Sequence, residues 1–163
     1  MSEELVRLSK EGAVGVITVD NPPVNALSPG VPEGILNGVQ TLNADDSVKA
    51  IVLIGAGGKF IAGADIRFFG KERAKLPMRP QDALEQSRKP VVAAISGFAL
   101  GGGYEMSLGC HYRVALASAR VGLPEITLGL LPGGGGTQRL PRLIGPAKAL
   151  DLIIAGRHVP APE

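Results

Sequence analysis

The sequence predicts an α/β fold in which a mostly parallel sheet alternates with crossover helices. Three observations carry this. The β-branched runs 49–54 (KAIVLI), 90–95 (PVVAAI) and 112–117 (YRVALA) are short, and the first, which ends at a glycine cluster, reads as a strand buried on both faces. Stretches with apolar residues at helical spacing stand between them, as crossover connections require. The 23 glycines and 13 prolines fall in clusters between apolar runs, which points to many special turns and not to disorder.

Each element follows in order. Two alternating stretches, 6–8 and 14–19, read as paired strands. The segment 21–30 (NPPVNALSPG) cannot continue a strand, because its prolines lack the donor a ladder needs. Ile35, Leu36, Val39 and Leu42 then predict an amphipathic helix ending near Asp45, before the strand KAIVLI. Helical patches at 65–70, 81–88 and 103–110 separate the later strands, and 71–80 (KERAKLPMRP), the most polar stretch, reads as an exposed, mobile loop. The patch 146–155 (PAKALDLIIA) has Pro at a helix start and Gly156 just past its end. Residues 156–163 (GRHVPAPE) read as Pro-rich coil without a closing element, as expected of a chain that continues.

Composition narrows the function classes. A length of 163 residues suits a single domain, and 45% hydrophobic with 20% charged residues is ordinary for a soluble globular chain. Seventeen Lys and Arg against 15 Asp and Glu give +2, so charge makes no case for nucleic acid or an anionic membrane as partner. Cys110 is the single cysteine, and with two histidines there is no Cys/His zinc set and no internal disulfide; no metal site is expected. The start MSEELVRLSK lacks a secretory n-region and h-region, and no apolar run approaches the roughly 20 residues of a membrane span. A soluble intracellular domain is expected.

The glycine clusters exclude the common phosphate loops. GAGGKF (55–60) follows a strand, but Phe60 stands where a dinucleotide fingerprint needs its third glycine. GGGYEM fails at Met106 and GGGGTQR at Gln138 and Arg139; Lys59 is followed by Phe60, which removes a P-loop. Ser96 and Ser107 lack the flanks of a nucleophile elbow. What remains is a pair of glycine turns, FIAGADI (60–66) and GFALGGGYE (97–105), each after a buried strand. Adjacent strands would bring both to one sheet edge, where two backbone N–H groups can face one carbonyl oxygen. The same glycines would also serve simple tight turns.

FIAGADI, SGFALGGGYE and GLPEITLGLLPGGGGTQRL (122–140) together resemble, in order and approximate spacing, the blocks of the enoyl-CoA hydratase/isomerase (crotonase) family, and NPPVNALS resembles its N-terminal CoA-side loop. The likeness is nearest to the N-terminal hydratase domain of multifunctional fatty-acid oxidation enzymes. It implies the crotonase (ClpP/crotonase-like) fold, repeated β-β-α units with a spiral sheet and flanking helices, as one domain core over 1–163 that lacks the family's C-terminal helical segment. The implied reaction is hydration of a trans-2-enoyl-CoA to a 3-hydroxyacyl-CoA in β-oxidation. An enoyl-CoA isomerase on the same fold and a non-catalytic CoA-binding or assembly module are the alternatives.

By the same resemblance, the backbone N–H groups of Ala64 and Gly102 form the oxyanion hole. Glu125 moves the proton at Cα, and Glu105 holds and activates the water. Val24, Ala26, Ala62, Gly63, Asp65, Ile66, Gly101 and Gly133 are the implied substrate and CoA contacts, Gly133 through backbone near the water. No cofactor is implied beyond the CoA of the substrate. The implied assembly is a trimer or dimer of trimers, or fusion to a 3-hydroxyacyl-CoA dehydrogenase region, in bacterial cytoplasm or a eukaryotic peroxisome. Tyr104 and Phe68 are candidates for the acyl pocket or the core. Lys59, Arg67 and Arg7 read as solvated cations within possible reach of CoA phosphates; His111 and His158 read as structural or exposed, and Cys110 as a buried small hydrophobe.

Overall fold

A computed structural model describes residues 4–71 and 75–163. Part of the predicted polar loop, 72–74, lies outside the described residues; on either side Lys71, Lys75, Pro77, Met78 and Arg79 are exposed. The chain opens with an antiparallel hairpin of β1 (Val6–Glu11) and β2 (Val14–Val19), followed by α1 (Val31–Ala44) and β3 (Ala50–Gly55). Then come α2 (Pro80–Glu85), β4 (Val91–Ile95), β5 (Phe98–Leu100), α3 (Gly102–Gly109), β6 (Tyr112–Ala115) and β7 (Arg120–Gly122). The last elements are α4 (Gly136–Ile144), α5 (Pro146–Ala155) and β8 (Val159–Pro160).

The larger sheet has the order β1-β2-β3-β4-β6, parallel from β2 onward; a smaller sheet has the order β5-β7-β8. One unit recurs along the chain: a strand of the large sheet, a short second strand, then a helix. In β4–β5–α3 and β6–β7–α4 the second strand is three residues long. In the first two units, β2 to α1 and β3 to α2, it shrinks to one parallel bridge between Leu27 and Ala64. Joining those two turns directly, this bridge places the later site.

Strand alternation decides which face is covered. Ile17, Val19, Ile51, Leu53, Val91 and Ala93 are buried and share one core with Val31, Ile35, Leu36 and Val39 of α1, Leu84 of α2 and Met106 of α3. The residues between, such as Val52, Ile54, Val92 and Ala94, are only half-buried. The sheet is therefore covered on one face and not on both, because the helices pack on the same side; burying each such aliphatic side chain contributes about 1.5–3 kcal/mol. A second, smaller core of Leu108, Leu123, Leu140, Ala149 and Leu152 holds α3, α4 and α5 together.

Several elements differ from the sequence reading. The patch at 65–70 is a single 3-10 turn over Ile66–Phe68, capped by the Asp65 side chain, which accepts from Arg67 N. The strand predicted over 112–117 ends at Ala115, and that over 6–8 continues to Glu11. Residues 156–163 do contain a closing element: β8 pairs antiparallel with β7, and Ala161 N donates to Ala119 O at 2.9 Å. Strands β5, β7 and β8 are too short to show a period of two. Helix α4 was hidden by its glycine start and by Pro141 inside it. Among the described residues, no helix is long and apolar enough to cross a membrane.

Candidate active site

Strands β3 and β4 are parallel neighbours, with Ile51 opposite Val91 and Ile54 opposite Ala94. Their following turns therefore emerge at the same sheet edge. Backbone bonds stitch the turns together, Phe60 N to Ser96 O at 2.8 Å and Leu100 N to Ile61 O at 3.3 Å. The 21–30 loop closes over the first turn: Ala62 N donates to Val24 O at 3.2 Å, and Leu27 N to Gly63 O at 2.8 Å.

Two glycines set the second turn. Gly101 has φ +50 and ψ −127, a combination open to glycine alone, and it swings the chain into α3. A Cβ on Gly103 would lie 1.9 Å from Ile61 O, so only glycine lets the first turn of α3 lie against the 60–63 backbone. The result is a pair of adjacent N–H donors. A Cβ built on Gly102 would stand 4.0 Å from Ala64 N. Gly102 N is the first N–H of a helix and has no intrahelical partner, and neither it nor Ala64 N donates to another described backbone carbonyl.

A polar network fixes the first donor. Asp65 is 5% exposed; its carboxylate accepts from Ser28 Oγ at 2.8 Å and from Arg67 Nε and NH2 at 2.9 and 2.7 Å. Arg67 is the larger cause holding the Asp65 carboxyl well below the usual range, and Ser28 adds to it against the cost of burial. Asn21 Nδ2 extends the network to Ser28 Oγ and Ala26 O. Asn25, at φ +54 and 3% exposed, donates to Ala56 O and Lys59 O. Asparagine tolerates that backbone better than most side chains.

Two carboxyls flank the donors. Glu105, 3% exposed in the first turn of α3, accepts Gly134 N and Gly136 N on the same oxygen, Oε1, both at 2.8 Å. No described residue donates a hydrogen bond to its Oε2. Glu125 follows Pro124 on a 3-10 turn over Pro124–Leu128, and its Oε2 is buried with no hydrogen-bond partner. Burial pushes its carboxyl up from the ordinary value, a hydrogen bond from its own backbone opposes this, and the charge of Glu105 raises it further. A Cβ on Gly101 would come within 3.1 Å of Glu125 Oε1, so the second carboxyl faces the donor turn.

A cavity of about 210 Å³ opens over this edge, lined by Ala62, Gly63, Ala64, Gly101, Gly102 and Glu125, with Ile66, Phe69, Leu100, Leu128 and Leu130 as its apolar wall. A larger cavity of about 880 Å³ lies among α4, α5 and β8. Among its charged residues, Asp151 and Glu163 both pair with Arg157, and Lys148 also lines it. The unpaired donors and the unpartnered carboxyl oxygen belong to the smaller one, which is the candidate site.

The enoyl-CoA hydratase/isomerase family model matches residues 9–163. The chain belongs to the enoyl-CoA hydratase/isomerase family. It is 54% identical over 161 residues to the peroxisomal bifunctional enzyme of Danio rerio, covering 98% of this chain and 22% of that protein. The human peroxisomal bifunctional enzyme is 54% identical over 153 residues, 93% of this chain and 21% of that protein. The chain thus spans about a fifth of the length of these relatives. An enoyl-CoA hydratase subunit I of Geobacillus kaustophilus HTA426 superimposes with a TM-score of 0.88 at 40% identity, covering 97% of this chain and 64% of that one. An enoyl-CoA hydratase of Mycobacterium marinum gives 0.90 at 32% identity, covering 98% and 65%. The fold is the crotonase fold.

In this family member, Ala62, Gly63, Ala64, Ile66, Gly101, Gly102 and Glu125 come together on the cavity wall, while Glu105 is buried and is not among its lining residues. Asp65 points into the polar network, and Val24 and Ala26 enter through their carbonyls. Gly133 lies on a separate cavity with Arg139 and Gln138; the N–H groups that reach Glu105 are those of Gly134 and Gly136. Phe69 lines the site cavity, whereas Phe68 packs beneath Lys71 Nζ at 5.1 Å and Tyr104 lines the larger cavity. Arg7 pairs with Asp20, and Lys59 Nζ donates to Pro23 O. His111 Nδ1 accepts from Val91 N, and His158 meets the Phe98 ring edge-on. Cys110 is buried, and burial pushes its thiol up to about 12. The described residues include no group of three or more His, Cys, Asp or Glu placed to hold a metal ion. Sequence reasoning missed Leu27, Asn21, Asn25, Ser28 and Gly134. The asparagines and Ser28 stood in the NPPVNALS block, where a run of buried-loop polar residues was the available signal.

Proposed function

We propose that this chain is an enoyl-CoA hydratase, adding water to a trans-2-enoyl-CoA to give a 3-hydroxyacyl-CoA in fatty-acid β-oxidation. The observation that carries the reading is the convergence of two unpaired N–H donors, Ala64 and Gly102, with a carboxyl oxygen of Glu125 that has no partner. The thioester oxygen accepts from both donors. Glu105 takes a proton from water as its oxygen bonds to Cβ, and the displaced electron pair moves to the thioester oxygen as an enolate. Protonated Glu125 then delivers its proton to Cα, and the enolate collapses to the thioester. Each preorganised donor is worth about 3–4 kcal/mol on the developing charge, and a positioned acid or base about 10²–10⁴ in rate.

The raised pKa of Glu125 supports the acid role, because burial and the neighbouring Glu105 charge favour its protonated form. The apolar wall of Ile66, Phe69, Leu100, Leu128 and Leu130 suits an acyl chain. A double-bond shift alone requires one carboxylate, so the Glu105–Glu125 pair favours hydration over isomerisation. The reading uses an acyl-CoA substrate and no further cofactor. It places the chain as the hydratase portion of a peroxisomal protein fused to a 3-hydroxyacyl-CoA dehydrogenase region, consistent with the bifunctional relatives, and as part of a homo-oligomer.

Hydration of crotonyl-CoA, followed as loss of the conjugated thioester absorbance, tests this. Turnover that Glu125→Gln abolishes is expected. Thioester binding without turnover would favour a binding module, and absence of both would overturn the assignment.

A further inference from the structure

Glu105 is held by a loop, and the loop in turn is held by Arg139. We propose that Arg139 is a positioning residue for Glu105, acting through the backbone of 133–136; the inference rests on the hydratase reading above. Four consecutive glycines present Gly134 N and Gly136 N to Glu105 Oε1. Such a segment has no side chains with which to brace itself and large conformational freedom to lose, so its order must be imposed from outside.

Arg139, one turn into α4, supplies that brace. Its NH1 donates to Gly134 O at 3.0 Å, on the very residue whose N–H holds Glu105. Its NH2 donates to Asp82 Oδ1 at 2.8 Å and Glu85 Oε2 at 2.7 Å, both on α2. The side chain is only 11% exposed. A Cβ on Gly135 would fall 2.2 Å from NH1, so the loop lies directly on the guanidinium. From the other side, a Cβ on Gly134 would lie 2.5 Å from both Glu105 Oε2 and Gln81 Nε2. The loop thus lies between Glu105, α2 and Arg139, and a side chain at 134 or 135 would push directly on Glu105, Gln81 or the guanidinium. A planar guanidinium meets three acceptors in fixed directions at once, which an ammonium cannot reproduce.

The consequence is selective. Ala64, Gly102 and Glu125 belong to other segments, so loosening the loop misplaces Glu105 and leaves Cα chemistry intact. Two reactions separate these: hydration of crotonyl-CoA, and exchange of the Cα protons of butyryl-CoA in D2O, which needs Glu125 and the two donors but no water addition. In Arg139→Met, hydration kcat is expected to fall about 10- to 100-fold with KM within about twofold and exchange within about threefold, since a displacement near 1 Å costs on that order. Arg139→Lys loses less. On a Glu105→Gln background, Arg139→Met costs no further hydration, as expected of residues acting in series.

The double variant Asp82→Asn/Glu85→Gln loosens the clamp from partly exposed positions, and the same selective loss, about 3- to 10-fold, is expected; this variant decides the matter if Arg139→Met fails to fold. Parallel loss of hydration and exchange, or an unchanged ratio of the two in every variant, overturns the proposal while wild-type hydration still stands. A wild-type protein that does not hydrate crotonyl-CoA overturns the hydratase reading and this inference with it.

Discussion

Glu125→Gln should make the protein more stable and less active together. The substitution removes a charge from a half-buried carboxyl whose Oε2 has no hydrogen-bond partner, while leaving shape nearly unchanged. Because burial raises its pKa in the folded state, folding favours the protonated form. That stabilisation is complete below the ordinary glutamate value and is lost as pH rises through the raised one. Glutamine cannot ionise, so the variant keeps what the wild type loses. This carboxyl is only partly buried and solvent screens it, so relieving its charge at neutral pH contributes about 0.5–1 kcal/mol. For a chain of this size that is about 1–4 °C in Tm. Urea titrations at about pH 4 and about pH 7.5 measure it, one below and one above the ordinary glutamate value. The two proteins should coincide at the lower pH and separate at the higher, with the variant more stable and its hydration down by about 10²–10⁴. A variant less stable at the higher pH, or a gap that does not change with pH, would refute the reasoning.

Gly102→Val puts a side chain against Leu27 Cδ1, 2.8 Å from the built Cβ, and in front of Ala64 N. The Leu27 side chain can yield, so the fold should survive while kcat falls about 10²–10³; full turnover with crotonyl-CoA would show that the donors do not face the substrate. Asp65→Asn should weaken the Ser28 and Arg67 bonds that fix Ala64. Since the Asp65 carboxyl is held well below its usual range, its stabilisation is present above the ordinary aspartate value and lost as pH falls through the depressed one. The variant should therefore be less stable than wild type at neutral pH, with the difference closing in acid; acid unfolding followed by circular dichroism checks it.

Much of the scaffold could be read from residue patterns. Residues 14–19 and 146–155 have the boundaries of β2 and α5 as expected, because a period of two or a Pro-to-Gly frame is a local signal. The three-residue strands β5 and β7 gave no such signal, and neither did the Leu27–Ala64 bridge, a contact between segments 37 residues apart. Phe69 in place of Phe68 on the cavity wall is a matter of which side of one 3-10 turn faces inward. Adjacent aromatic residues look alike to any pattern.

The sequence by itself determined the chemistry on offer: which turns carry glycine, which positions carry a carboxyl, and the family to which those blocks belong. The tertiary structure decided what each group can do. Glu105 and Glu125 are the same residue type, 20 positions apart. One is gripped on a single oxygen by two N–H groups of a loop that Arg139 clamps; the other is left with a buried, unpaired oxygen that raises its pKa. Local sequence sets which atoms exist, but solvation and hydrogen bonding are imposed by segments distant along the chain, and those segments give two identical carboxyls different environments.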